Sequence, residues 1–183
     1  CSVWDQACAN SHLTSQGNSV WRGEFTVTTS TTTTWQYKMA MNDGWAESYA
    51  GNHQAGGNTT LYLTQTTTVR FYYDHKTHAV LDSVMDQVAV AAGDFQSELG
   101  CPGDWQPSCV RTLLTDVDGD GLYTFQATGL PAGNYQFKVA LNEGWAESYG
   151  IGGGNILFTI SKPGDELTIS WNSVTKVPSV FVD

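Results

Sequence analysis

Basic residues are few in this chain: eight Lys and Arg stand against 18 Asp and Glu, a formal net charge of −10. Phosphate binding needs clustered cations, so the balance argues against nucleic acid and anionic membrane as partners. Charge of either sign is thin, at 14% of residues, which leaves aromatic rather than ionic chemistry as the distinctive feature of the surface. Long apolar runs are missing as well, and with no stretch of about 18 consecutive apolar residues no segment reads as a membrane-spanning helix. No charged-then-apolar leader precedes Cys1, and the expectation is a mature or trimmed product. Proline is sparse, and no long helical period occurs. No Ser-His-Asp set, phosphate loop or His-rich metal cluster recurs, so no cofactor is expected.

What the chain does contain is tryptophan, tyrosine, threonine and a duplication. Residues 35–49 read Trp-Gln-Tyr-Lys-Met-Ala-Met-Asn-Asp-Gly-Trp-Ala-Glu-Ser-Tyr, and residues 135–149 read Tyr-Gln-Phe-Lys-Val-Ala-Leu-Asn-Glu-Gly-Trp-Ala-Glu-Ser-Tyr. Two units follow, 1–85 and 86–183, each long enough for a small core. Tyr135, Phe137, Val139 and Leu141 alternate with Gln136, Lys138, Ala140 and Asn142, the period of a half-buried strand. Asn142-Glu143-Gly144 then breaks the strand.

Further strands are expected at 21–28, 35–41, 59–64, 69–73 and 78–83 in the first unit, and at 122–127, 156–160, 167–171 and 177–180 in the second. Gly-rich loops fall at 49–57 and 150–154. The Thr-Ser run at 26–34 reads as strand and hairpin, with an O-glycosylated stalk as the alternative. Many short strands separated by turn signals predict an all-β chain of two tandem immunoglobulin-like β-sandwich modules. The second unit opens with Gln87-Val-Ala-Val-Ala-Ala-Gly-Asp-Phe95, a strand with no counterpart before Cys1. The first unit is therefore expected to be one strand short, with an open edge that invites self-association; Ser179–Asp183 is a candidate donor, and a trimmed fragment is the plainer explanation.

The cysteines come in two pairs, Cys1 with Cys8 and Cys101 with Cys109, each bracketing a tryptophan. Their repetition predicts two local disulfides and an extracellular or cell-surface setting. A metal site and a lipidated Cys1 are the alternatives.

A polar and aromatic set also recurs: Trp4, Lys38, Asn42, Trp45 and Asn58, then Trp105, Lys138, Asn142, Trp145 and Asn155. Sugar rings have apolar C–H faces and hydroxyl edges, which call for flat aromatics and for amide or ammonium groups. Each residue also has a structural reading: disulfide packing for Trp4 and Trp105, loop closure for Trp45 and Trp145, an ordinary strand lysine, and turn chemistry for the asparagines.

Phe95-Gln-Ser-Glu-Leu-Gly-Cys-Pro-Gly-Asp-Trp-Gln-Pro-Ser-Cys109 and Leu130-Pro-Ala-Gly-Asn-Tyr-Gln-Phe-Lys-Val-Ala-Leu-Asn142 resemble the tandem starch-binding accessory modules of bacterial pullulanases and amylopullulanases. The likeness extends more distantly to the glycogen-binding domain of AMP-activated kinase. It implies a β-sandwich that holds α-glucan with two tryptophans, a strand lysine and an asparagine, which fall on Trp105, Lys138, Trp145 and Asn155 and on Trp4, Lys38, Trp45 and Asn58. The first unit departs at its start, where the Asp-Phe-Gln-Ser-Glu-Leu element is absent and Ser2-Val3 replaces Pro102-Gly103-Asp104. The expected function is non-catalytic, extracellular binding of α-1,4-glucan polysaccharide. The alternative is a structural subunit of a filament or surface layer built by strand donation.

Asp116, Asp118 and Asp120 resemble half of a calcium loop, but Ala127 occupies the position where such a loop ends in Glu, and an Asp-Gly turn is preferred. His75 and His78 read as a solvated hairpin before a weak metal pair. Asn58-Thr-Thr60 is a glycosylation sequon. A glycosidase needs two carboxylates about 5 to 10 Å apart, and Glu47 and Glu147 have only the turn residues Asp43 and Glu143 as regular carboxylate neighbours.

Overall fold

A computed structural model describes residues 1–51 and 55–183, so that part of the expected loop at 49–57 lies outside the described residues. Regular structure within them consists of strands and two 3-10 turns, Ala9–Ser11 and Val110–Thr112. No described helix is long and apolar enough to cross a membrane. The chain divides into two compact units, Cys1–Asp86 and Gln87–Asp183.

The second unit is a complete sandwich. One sheet is built on β12 (Gly133–Leu141), with β9 (Ala89–Gly93) on one edge and both β13 (Ser148–Tyr149) and β14 (Ile156–Ile160) on the other; β10 (Leu113–Leu114) extends it beyond β9. The facing sheet runs β11 (Leu122–Ala127), β15 (Leu167–Asn172), β16 (Val177–Val182), and every pairing is antiparallel. Between them lies a core of Ala91, Phe137, Val139, Leu141, Ile156 and Ile160 from one side and Phe125, Leu167, Ile169 and Trp171 from the other. The alternation read in the sequence puts Phe137, Val139 and Leu141 inward. Ala140 is buried too, because β12 is a central strand flanked on both edges.

The first unit follows the same plan, without a counterpart of β9 among the described residues. Its larger sheet runs β1 (Thr14–Gly17), β2 (Val20–Val27), β7 (Thr67–Asp74), β8 (Ala79–Asp82). Opposite it lie β3 (Thr33–Tyr37) paired with β6 (Thr59–Leu63), and β4 (Met39–Ala40) paired with β5 (Ser48–Tyr49). Met39, Leu61 and Leu63 meet Val69, Phe71, Tyr73 and Val80 in the core. The single strand expected over 35–41 is thus broken at Lys38, while its copy at 135–141 is continuous. The difference has a tertiary cause: β9 lies along Phe137–Leu141, and among the described residues nothing occupies the equivalent edge of the first unit.

Buried polar groups in the first unit are satisfied in a way the second unit does not share. The Tyr37 hydroxyl donates to Oδ2 of the fully buried Asp82 at 2.9 Å, whose Oδ1 accepts the N–H groups of Val84 and Met85. Burial and the Asp82 carboxylate hold the Tyr37 hydroxyl far above the ordinary tyrosine range. Of the hairpin histidines, His75 is exposed as expected and His78 is half-buried. Nδ1 of His75 and Nδ1 of His78 both lie 3.0 Å from the Tyr73 hydroxyl, and the His78 ring stacks on Tyr49 with centroids 4.0 Å apart.

Candidate functional site

The two cysteine pairs form disulfides, Cys1–Cys8 and Cys101–Cys109, and each closes a short loop that carries one tryptophan outward. Trp4 and Trp105 sit in the left-handed backbone region, at φ 59° and 57°. Non-glycine residues adopt that conformation only when their surroundings impose it. In the second unit the surroundings are explicit. Trp105 N–H donates to the Gly93 carbonyl at 3.0 Å. Next to it the fully buried Gln96 accepts from Gln106 N–H at 2.8 Å and donates to the Gln106 carbonyl at 3.0 Å and to Thr112 Oγ1 at 3.1 Å. Asp104 Oδ1 accepts Ser97 N–H at 2.9 Å, tying the loop back on the segment after β9. In the first unit, among the described residues, the Trp4 loop is held by the disulfide and by local bonds such as Ser11 Oγ to the Cys8 carbonyl.

The second tryptophan of each pair follows a turn. Asn42 and Asp43, like Asn142 and Glu143, have positive φ between 53° and 61°, and Gly44 and Gly144 donate back to Met41 and Leu141 at 3.1 Å. The turn swings Trp45 and Trp145 up beside Trp4 and Trp105, with ring centroids 6.1 Å apart at 61° in the first unit and 6.3 Å apart at 41° in the second. Both late tryptophans stay exposed, at 42% and 45%.

In the first unit Trp4, Lys38, Trp45 and Asn58 line one shallow depression that is open to solvent. Lys38 Nζ lies 5.5 Å from the Trp45 ring centre and donates to the Gly56 carbonyl at 3.1 Å. In the second unit the Lys138 side chain runs beside the loop at 150–154, its Cε close to Gly150, where a Cβ would also meet the Gly154 carbonyl at 1.8 Å. Only glycine fits there.

Not every expected residue joins these clusters. Asn142 is a fastener: its N–H donates to the Val88 carbonyl at 2.7 Å and its Oδ1 accepts Val88 N–H at 3.3 Å, pinning the start of β9. Asn42 occupies the same turn and is absent from the depression's lining. Two residues that sequence reasoning passed over are drawn in instead. Asn58 Nδ2 donates to Gln36 Oε1 at 3.3 Å, and Asn155 Nδ2 donates to Gln136 Oε1 at 3.0 Å. The signal was a glutamine two positions before the lysine in both copies, on the same strand face.

The candidate carboxylates are engaged elsewhere. Glu47 and Glu147 each accept a hydrogen bond from the hydroxyl of the tyrosine two residues on, Tyr49 and Tyr149. Burial and Glu47 raise the pKa of Tyr49; the bond to Glu147 and burial raise that of Tyr149. Asp116, Asp118 and Asp120 gather their oxygens within 4.8 Å of one another. The same oxygens cap their own turn: Asp116 accepts the N–H groups of Gly119 and Gly121 at 2.8 and 2.9 Å, and Asp120 accepts that of Leu122 at 2.7 Å.

The sequence pattern is shared with known proteins. A family model described as the pullulanase X25 domain matches residues 1–80 and again residues 88–178. An amylopullulanase of Thermoanaerobacterium saccharolyticum is 34% identical over 72% of this chain and 11% of its own length. One from Thermoanaerobacterium thermosulfurigenes is 35% identical over 65% of this chain and 6% of its own length. The chain therefore spans a small fraction of the relatives it matches. Among solved structures, a pullulanase from Bacillus acidopullulyticus is 32% identical, with 62% of this chain and 14% of that one covered and a TM-score of 0.47.

Proposed function

Because the chain belongs to the family of pullulanase X25 domains, we propose that it is a pair of non-catalytic modules that bind α-1,4-glucan outside the cell. One observation carries the reading: Trp4, Lys38, Trp45 and Asn58 line a single solvent-open depression, and Trp105 and Trp145 pair in the same way in the second unit. The paired rings are inclined by 61° and 41° rather than coplanar. Inclined platforms suit the curved face of an α-glucan helix, whereas a flat polysaccharide calls for coplanar rings. Exposed tryptophans supply the stacking, the lysine ammonium meets glucose hydroxyls at the edge, and the asparagine amide reads a second hydroxyl.

The two disulfides fit an oxidising, extracellular setting. Absence of catalysis is supported by the placement of Glu47 and Glu147, each spent on a neighbouring tyrosine. A shallow open site is weak alone, and two sites on one chain gain effective concentration on a polymer. Affinity electrophoresis in gels with and without soluble starch, with dextran as the control, tests the reading. Retardation by starch alone is expected; equal mobility in all three gels rejects it.

A further inference from the structure

Asn58 and Asn155 stand immediately before β6 and β14, and these strands pair with β3 and β12 in the same register: Gln36 lies opposite Thr60, and Gln136 opposite Leu157. Directly opposed residues share a sheet face. Positions 60 and 62 in the first unit, and 157 and 159 in the second, therefore stand on the face that carries the Asn–Gln bonds. Alternation buries Leu61 and Leu63, and Ile156, Phe158 and Ile160, on the other face.

The solvated face of an antiparallel sheet calls for polar residues, and each of these strands has one bulky exception. Leu157 is 74% exposed and Tyr62 is 48% exposed. In both cases the other copy has threonine: Thr60 takes the place of Leu157, and Thr159 that of Tyr62. The fold itself thus requires neither side chain. Thr159 Oγ1 donates to Asn134 Oδ1 at 2.8 Å, which closes the far end of the second unit's face with a polar contact, whereas Tyr62 stands opposite Thr34. Among the described residues no side-chain hydrogen bond or ring contact engages Tyr62. β14 lies on the edge of β12 away from β9, and β6 is the partner of β3 in the same register, so this face is built alike in both units.

We propose that the strand after the asparagine extends each glucan platform, with Leu157 as a near outer contact in the second unit and Tyr62 as a more distant one in the first. This extension rests on the glucan reading above and adds to it the length of chain that each unit takes. At about 3.4 Å per residue, Leu157 stands about 7 Å beyond Asn155, and Tyr62 about 14 Å beyond Asn58. Leucine presents methyl groups to the C–H face of the next sugar, and tyrosine presents a flat ring on which a sugar further out can stack. The second site is therefore compact, and the first favours longer glucans.

The test uses the full chain with one site silenced at a time: Trp45→Ala leaves the second unit's site, and Trp145→Ala leaves the first's. Leu157→Thr is read in the first background and Tyr62→Thr in the second, so each residue is exchanged for the one its own copy carries. Titration by NMR with maltotriose and with maltoheptaose should show maltoheptaose affinity about threefold or more lower for each variant, with maltotriose affinity and melting temperature unchanged. Equal maltoheptaose affinity with and without the substitution, or a loss of the same size for maltotriose, would overturn the proposal while leaving the glucan reading intact. Failure of the unsubstituted chain to bind maltoheptaose would reject that reading, and this extension with it.

Discussion

The side-chain amide of Asn155 donates a hydrogen bond to Oε1 of Gln136 at 3.0 Å, and Asn58 repeats it on Gln36 at 3.3 Å. One amide hydrogen of each asparagine is thereby fixed, which leaves its carbonyl oxygen and second hydrogen as an oriented acceptor and donor. Gln136 is then a positioning residue that acts through Asn155. Gln136→Ala should weaken glucan binding by the second unit several-fold, while Gln136→Glu, which keeps the acceptor, should retain most of it. In an Asn155→Ala background the Gln136→Ala change should add nothing further. A full additional loss in that double-mutant cycle would show that Gln136 works independently of the asparagine.

The tryptophans divide by environment. Trp145 is 45% exposed beside Trp105, whereas Trp171 is fully buried between the sheets. Trp145→Ala should therefore abolish retention of the second unit on an amylopectin gel while moving stability by only about 0.5 kcal/mol. Trp171→Ala should cost about 3 to 5 kcal/mol in urea unfolding through the cavity it leaves. Unchanged retention in Trp145→Ala would remove the ring from the proposed site.

Much of this architecture is written locally. Leu122–Ala127 and Ile156–Ile160 emerge at the expected boundaries because each is a short alternating run closed by Gly, Pro or Asn. The break at Lys38 was not legible, since residues 35–41 and 135–141 carry nearly the same pattern and differ in outcome only through a neighbour that is distant in sequence. The tryptophan pairs could be suspected from repetition alone. The roles of Asn142 and Gln136 could not, because an asparagine after a strand suits both a ligand contact and a left-handed turn, and Gln136 meets its partner across 19 residues of chain. Similarly, the contact that His75 and His78 share with the Tyr73 hydroxyl could not be read from the sequence, although His75 stays exposed as expected.

Unequal bracing of the two cysteine loops predicts unequal reduction. Cys101 is 7% exposed and its N–H is bonded to the Gln96 carbonyl at 3.0 Å, while Cys1 is exposed and no glutamine among the described residues clamps the first loop. Under mild reductant at neutral pH, Cys1 and Cys8 should be alkylated well before Cys101 and Cys109, as read by mass spectrometry of the trapped thiols. Gln96→Ala, which leaves buried partners unpaired, should cost about 1 to 3 kcal/mol and narrow that difference in reduction. Simultaneous reduction of both bonds in the native chain would contradict the assignment of Gln96 as the brace.

Alkali should find a specific weak point in the first unit. Tyr37 is raised by burial and then by Asp82, and Tyr73 by burial and then by Tyr49 and Glu47, so both keep their protons in the fold at pH values where free tyrosine does not. In the unfolded chain these hydroxyls ionise near pH 10. Above that point the unfolded state binds fewer protons than the folded one, and stability falls as pH rises; below it the contribution is present in full. Tyr37→Phe restores the residue type found at Phe137 but leaves the Asp82 carboxylate with only backbone partners. The variant should lose about 1 to 3 kcal/mol at pH 8 and show a shallower decline between roughly pH 10 and 12. Parallel slopes of the wild type and Tyr37→Phe in melts across that window would mean that Tyr37 is not the group whose proton links folding to alkali.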